Sequence, residues 1–232
     1  SRALRGALAD SGIRCGPRRE RPGRALLHAA ETGKGQGRSR LEDVLGAGDY
    51  GEYLAYRLLN AMTDLSFRVR LLEVTWVDSD ERRGRMVRSA FLIEHRNRLA
   101  ARIGMEPREM EFAELSRVQA DHLNLTSMFQ YLIGNVDFSP IAGSGGECCH
   151  NYEMFGNGEG PLVAIPFDFD FSGIVNAPNA VPDTERGVSR VGQRVYRGWC
   201  ANNGQVESSI ARFQESRETL YAEVAALQEL EP

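Results

Sequence analysis

Three short segments in the second half of the chain hold residue types that could meet around a hard metal ion. Ile133-Gly134-Asn135-Val136-Asp137 ends an apolar stretch with an acid, and His150-Asn151-Tyr152 opens a short apolar run. Pro166-Phe167-Asp168-Phe169-Asp170-Phe171-Ser172-Gly173 alternates two acids with aromatic residues. Magnesium takes oxygen ligands, commonly one or two carboxylates together with phosphate oxygens. Phosphoryl transfer needs such an ion and a separate acid that orients the attacking hydroxyl, and an Asn amide oxygen can complete the metal shell without adding charge. An extended backbone at Asp168-Phe169-Asp170 would place both carboxylates on one face, about 7 Å apart, with the phenylalanines turned to the core. Acids packed among apolar groups are costly unless a cation or hydrogen-bond donors compensate them. Asp168 and Asp170 are therefore the first candidates for metal binding. His150 is expected to serve a nearby backbone carbonyl rather than a metal. Arg197, in Arg194-Val195-Tyr196-Arg197-Gly198-Trp199-Cys200, could pair with a site carboxylate or a substrate phosphate; a surface ion pair is the ordinary alternative, and the favoured one.

The surrounding elements must bring these segments together. Tyr53, Leu54, Tyr56, Leu58, Leu59 and Met62 recur at helical spacing, which predicts a helix over residues 51–63 with Asp49 as its N-cap. Residues 67–78 and 85–94 are rich in Val, Leu, Phe and Trp, and the polar stretch 79–84 between them ends in Gly. That is a hairpin pattern. Residues 96–103 read as a short helix stopped by Gly104 in a left-handed C-cap. The broad apolar face from Leu115 to Ile133 predicts the strongest helix, central to a helical lobe. A second hairpin is expected from residues 152–155 and 162–167, and a closing amphipathic helix over 206–227.

Composition limits the partners. The 232 residues carry a net charge of -4, so a general nucleic-acid binder is not expected. Residues 1–40 contain 10 Lys+Arg against 3 Asp+Glu, leaving the remainder acidic. That Arg/Gly-rich stretch has no apolar periodicity, apart from an isolated short helix near residues 25–30, and is expected to be disordered. No run of about 18 apolar residues exists, so no transmembrane segment is expected. Cys15, Cys148, Cys149 and Cys200 match no zinc spacing, and the expectation is four free thiols. Lys34 is the single lysine. Its Thr32-Gly33-Lys34-Gly35-Gln36-Gly37 setting lacks the spacing of a phosphate loop.

The order of an Asp after a long helix, an Asn opening a hairpin and an apolar-Asp-x-Asp-x-x-Gly segment resembles the CotH family of atypical protein kinases. The helix near Glu52 and the hairpin ending Phe91-Leu92-Ile93-Glu94 are similar to that family's helix, strand pair and hinge. The resemblance covers residues 49–173. It implies an α+β, protein-kinase-like fold with a reduced amino-terminal lobe at 41–104 and a helical carboxy-terminal lobe at 105–232. It further implies Asp137 as the catalytic-loop acid, Asn151 and Asp168 as magnesium ligands and Asp170 as the second acid. Glu52 is matched to the helix acid that pairs with the nucleotide lysine, and Glu94 to the hinge; both are assigned to nucleotide binding.

The expected activity is transfer of a phosphoryl group from ATP, with Mg2+ (or Mn2+), to a hydroxyl of a protein or small molecule. No strand carries a lysine, and Asp137 and Asn151 lie 14 residues apart where such catalytic loops separate them by about five. Those departures motivate an alternative, a nucleotide-binding pseudokinase. A metal-dependent phosphate-ester hydrolase using Asp137, Asp168 and Asp170 is the third reading.

Overall fold

A computed structural model of the protein describes residues 48–77, 84–141 and 148–228. The Arg/Gly-rich stretch 1–40 with Lys34, the isolated helix near 25–30, most of the first hairpin's turn and the centre of the 138–149 insert lie outside them. The described residues form a mixed α+β architecture.

Helix α1 (Gly48–Met62) leads to the antiparallel strands β1 (Val69–Trp76) and β2 (Met86–Ile93), followed by α2 (Arg96–Ile103). Strand β3 (Glu106–Pro107) precedes a 3-10 turn at Leu115–Arg117 and helix α3 (Ala120–Ile133). Strands β4 (Tyr152–Gly156) and β5 (Val163–Pro166) come next, and α4 (Val206–Glu215) and α5 (Arg217–Gln228) end the described chain. The second sheet has the order β3-β4-β5. Among the described residues no helix is long and apolar enough to cross a membrane.

Most expected elements are present, with informative differences. Helix α1 begins at Gly48, so Asp49 lies inside its first turn rather than capping it. Gly104 closes α2 at φ 68°, the left-handed cap its position predicts. The helix expected from Leu115 breaks before Ala120. Val118 bridges Leu162, the Gln119 amide donates to the Leu162 carbonyl at 2.8 Å, and the Leu162 amide donates to Arg117 at 2.7 Å. These cross-chain bonds take the backbone groups a longer helix would use. The closing helix is likewise two helices meeting at the buried Ser216. Strand β3 is too short and polar to show a period-2 pattern.

One apolar cluster runs through the elements that hold the site. Leu54, Tyr56, Leu58 and Leu59 of α1 pack with Phe129 and Ile133 of α3, Val163 and Ile165 of β5, and Phe169. Helix α5 is drawn onto α1 by Leu227 and by a fork in which Arg57 donates to both Glu223 oxygens, at 2.9 and 2.6 Å. A second cluster, with Leu123, Phe138, Tyr152, Met154 and Leu162, lies under the loop that follows α3.

Between these parts, three main-chain segments cross with no room for side chains. The Gly173 amide donates to the Gly134 carbonyl at 3.2 Å and the Ile174 amide to Ile133 at 3.0 Å. A Cβ on Gly173 would stand 2.3 Å from Gly192 Cα, and one on Gly134 would stand 3.1 Å from the Gly192 carbonyl. This crossing fixes the acid-rich 166–173 segment to the end of α3. Gly173→Ala is expected to destabilise the protein by about 2–3 kcal/mol, the scale of overpacking a tight site, as read by urea unfolding; an unchanged midpoint would refute the close packing.

Candidate functional site

The Asp168 segment is positioned chiefly by helix α1. Phe169 is fully buried, its ring centroid 4.8 Å from that of Tyr56 and 5.8 Å from that of Phe129, both edge-on. Burying this ring forces the flanking acids out of the core. Tyr56 Oη accepts the Asp168 amide at 2.9 Å, and Glu52 Oε1 accepts the Phe169 amide at 3.3 Å. Glu52 and Tyr56 are four residues apart and share one helix face. Burial, with Glu52 adding to it, drives the Tyr56 phenol far above its usual pKa, so it stays neutral.

Asp168 adopts φ 58°, so the segment is kinked there rather than extended as the alternating pattern predicts. Asn151 has φ 55°, and Asn176 is the third non-glycine residue with positive φ among the described residues. Two of the three are predicted metal ligands. Left-handed backbone at a non-glycine residue costs on the order of 1–3 kcal/mol and collects at functional sites.

Asp137 is held by its own loop and by the start of β4. Asn135 Oδ1 accepts the Asp137 amide at 2.8 Å, an Asx turn directly after α3. His150 Nε2 lies 2.8 Å from Asp137 Oδ1. Asn151 Nδ2 donates to the Asp137 carbonyl at 2.8 Å and to its Oδ2 at 3.2 Å. The expected carbonyl role of His150 is thus replaced by a carboxylate contact. The bridge between Ser139 and His150 closes the long insert at its base, which is how residues 14 apart become neighbours. The Phe167 amide donates to the Asn151 carbonyl at 3.1 Å, so Asn151 and Asp168 stand at one end of the β4-β5 hairpin.

The electrostatics follow from this packing. Burial pushes the Asp137 carboxyl up, but the His150 hydrogen bond and charge, nearby Arg186 and the Asn151 bond together hold it below its ordinary value. The Asp137 bond correspondingly holds His150 above its own. Asp168 and Asp170 are hydrogen-bonded carboxylates, both raised, first by burial. Asp170 reaches about 7, with the Asp168 charge as the next cause. Each carboxylate of the pair therefore opposes the ionisation of the other. Asp170 Oδ1 is also buried without a hydrogen-bond partner.

Those features fit a hard cation: two crowded carboxylates, one orphaned oxygen and an amide at the same hairpin end. Among the described residues, no group of three His, Cys, Asp or Glu side chains is arranged to hold a metal ion. The predicted shell has only two carboxylates, completed by Asn151.

The structure thus brings Glu52, Asp137, Asn151, Asp168 and Asp170 into one region. Glu94 stands apart. Its carboxylate is forked by Arg102, at 3.1 and 2.7 Å, and accepts the Arg68 amide at 3.1 Å. Glu52 likewise spends an oxygen on the Phe169 amide, and no lysine occurs among the described residues. A cavity of about 920 Å³ lies behind the site, lined by Leu58, Ile133, Ile174, Phe213, Leu220 and Val224 and by none of the site acids.

Several residues that build the region were not singled out from the sequence. Asn135 was legible as Asn-x-Asp after a helix-ending Gly, and Tyr56 as a polar tip one turn after Glu52. Arg186 carries no sequence signal. Arg197, expected to form a surface ion pair, donates to the Val136 and Phe138 carbonyls. Cys148 and Cys149 place their sulfur atoms in contact, where four free thiols were expected.

Comparison with known protein families, curated proteins and solved structures finds no match.

Asp170 supplies a pH test. Its carboxyl is raised in the fold from an ordinary 3.8 to about 7, so the metal-free fold is most stable where the acid is protonated and loses stability as pH rises from about 4 through 7. Asp170→Asn removes the ionisation and is expected to melt higher than the parent protein at pH 8, with the gap closing near pH 4. Equal melting temperatures at both pH values would refute the carboxylate crowding.

Proposed function

We propose that the chain is a metal-dependent phosphotransferase of the protein-kinase-like type, acting from a nucleotide triphosphate onto a hydroxyl. One observation carries the reading: an acid leaving α3 and an Asn and acid pair at the end of the next hairpin converge, with the carboxylates left crowded and under-compensated. Asn151, Asp168 and Asp170 would hold Mg2+, with Mn2+ as the alternative ion. That ion, when bound, supplies charge neutralisation to the phosphate oxygens. Asp137 accepts a hydrogen bond from the acceptor hydroxyl and takes its proton as the oxygen attacks the terminal phosphorus; the nucleoside diphosphate leaves. His150 keeps Asp137 ionised. Glu52 and Tyr56 fix the main chain of the metal-binding segment. Rate enhancement in such a site comes from positioning and electrostatics rather than covalent chemistry.

A second reading, a nucleotide- or metal-binding module without turnover, is favoured by one contact. Glu52, the residue matched to the lysine's partner, is bonded to the Phe169 amide, and no lysine occurs after residue 34.

Two measurements separate the readings. Mg2+ with ATP should raise the melting temperature of the parent protein, since a ligand of the native state stabilises it. Asp168→Asn should abolish that rise. Asp137→Asn should retain it but lower phosphoryl transfer by about 10²–10⁴-fold, the usual scale for losing a positioned acid–base group. A thermal shift without transfer in the parent supports the module, and an Asp168→Asn variant with an unchanged shift refutes the metal site itself.

A further inference from the structure

The backbone on either side of Asp137 is held by side chains from distant parts of the chain. The carbonyls of Val136, Asp137 and Phe138 all take side-chain donors. Arg197 Nη1 donates to Val136 and, at 2.6 Å, to Phe138, while Asn151 Nδ2 donates to the Asp137 carbonyl between them. The Arg197 guanidinium also lies over the Phe138 ring, 4.6 Å from its centroid. Phe138 itself is buried against Tyr152.

The segment that presents Arg197 is irregular, yet it is anchored to α3 by the residues just before Arg197. Asn124 of α3 donates through Nδ2 to Tyr196 Oη at 3.1 Å, and its Oδ1 accepts from Ser209 Oγ of α4 at 2.8 Å. Arg194 Nε donates to the Leu132 carbonyl at 2.8 Å. Arg197 therefore reaches the loop from a scaffold built on α3 and α4, and α3 is the helix from which the loop emerges.

We infer that Arg197 is a positioning residue for Asp137, setting the direction of its carboxylate by clamping the peptide groups before and after it. The inference rests on the phosphotransferase reading for its catalytic consequence. A guanidinium suits the task because it is planar, permanently charged and able to face two acceptors while its flat side stacks on an aromatic ring. With Val136 and Phe138 fixed by Arg197 and the Asp137 amide fixed by Asn135, only the Asp137 side-chain torsions remain, and His150 and Asn151 restrain those. Lysine carries three N–H donors on one nitrogen at the end of a flexible stem and has no flat face to lay on Phe138, so it can bond the carbonyls but cannot reproduce the stacked clamp.

The test compares Arg197→Met, Arg197→Lys and the parent chain, with Mg2+ and ATP as the probe. Arg197→Met keeps an apolar stem over Phe138 and removes both carbonyl bonds. Its kcat is expected to fall about 100-fold, the effect of a small misplacement of a reacting group, with KM for ATP and the Mg-ATP thermal shift unchanged. Amide hydrogen exchange should quicken at residues 136–138 while α3 and β4 stay protected. Arg197→Lys should recover part of kcat and part of that protection. Parental kcat and exchange in the Met variant would overturn the inference, as would loosening that spreads equally through α3. Failure of the phosphotransferase reading would appear separately, as a parent protein with no transfer and no Mg-ATP shift. In that case local exchange at 136–138 alone decides whether the clamp exists.

Discussion

Burial of the Phe169 ring between Tyr56 and Phe129 is the constraint on which the rest of the arrangement depends. An aromatic side chain of that size is a major contributor to a small core, and its main chain has nowhere to go but over the end of α1. Two acids adjoin it, so satisfying the core turns both carboxylates toward the same limited space. There each opposes the ionisation of the other, the backbone is left-handed at Asp168, and one oxygen of Asp170 has no donor. The protein accepts an electrostatic penalty next to its best-packed ring. Such a conflict between core and polar groups is the signature expected where sequence serves chemistry rather than stability.

The first acid is treated in the opposite way. The Asp137 carboxylate is supplied with an imidazole and an amide donor, with a guanidinium nearby, and its own amide is tied to Asn135 in an Asx turn. Its ionised form is favoured, whereas that of Asp170 is opposed. Neighbouring carboxylates in contrasting environments have their pKa values pushed apart. The distinction comes from the loops. Asp137 sits where a helix end and a closed insert converge, and Asp168 and Asp170 sit where a hairpin end meets α1.

Much of this was legible in the residue pattern, because the relevant signals are local. Gly104 and Gly134 mark helix ends, alternating apolar residues mark the hairpins, and the Asp-Phe-Asp triplet announces carboxylates beside buried rings. What escaped the sequence depends on contacts between remote segments. The helix expected from Leu115 stops short because Leu162 claims the backbone at Arg117 and Gln119, and no residue within 115–119 reveals that competition. Arg197 looks like a surface charge until the carbonyls about 60 residues away come into reach. The insert between Asp137 and Asn151 has no distinctive composition at its base, yet the Ser139–His150 bridge makes those residues neighbours. The Glu94 carboxylate, matched to a nucleotide-facing hinge, is instead taken by Arg102 from the following helix.

Helix α1 bears on the acid segment and on the end of the chain at once. Glu52 and Tyr56 grip two successive amides of that segment, and Arg57, the next residue, forks the carboxylate of Glu223 on α5. A rod of 15 residues has little internal give over a single turn. Rotation of α1 about its axis would therefore pull on Asp168 and on α5 in the same motion, leaving no compliant joint along that line to absorb it.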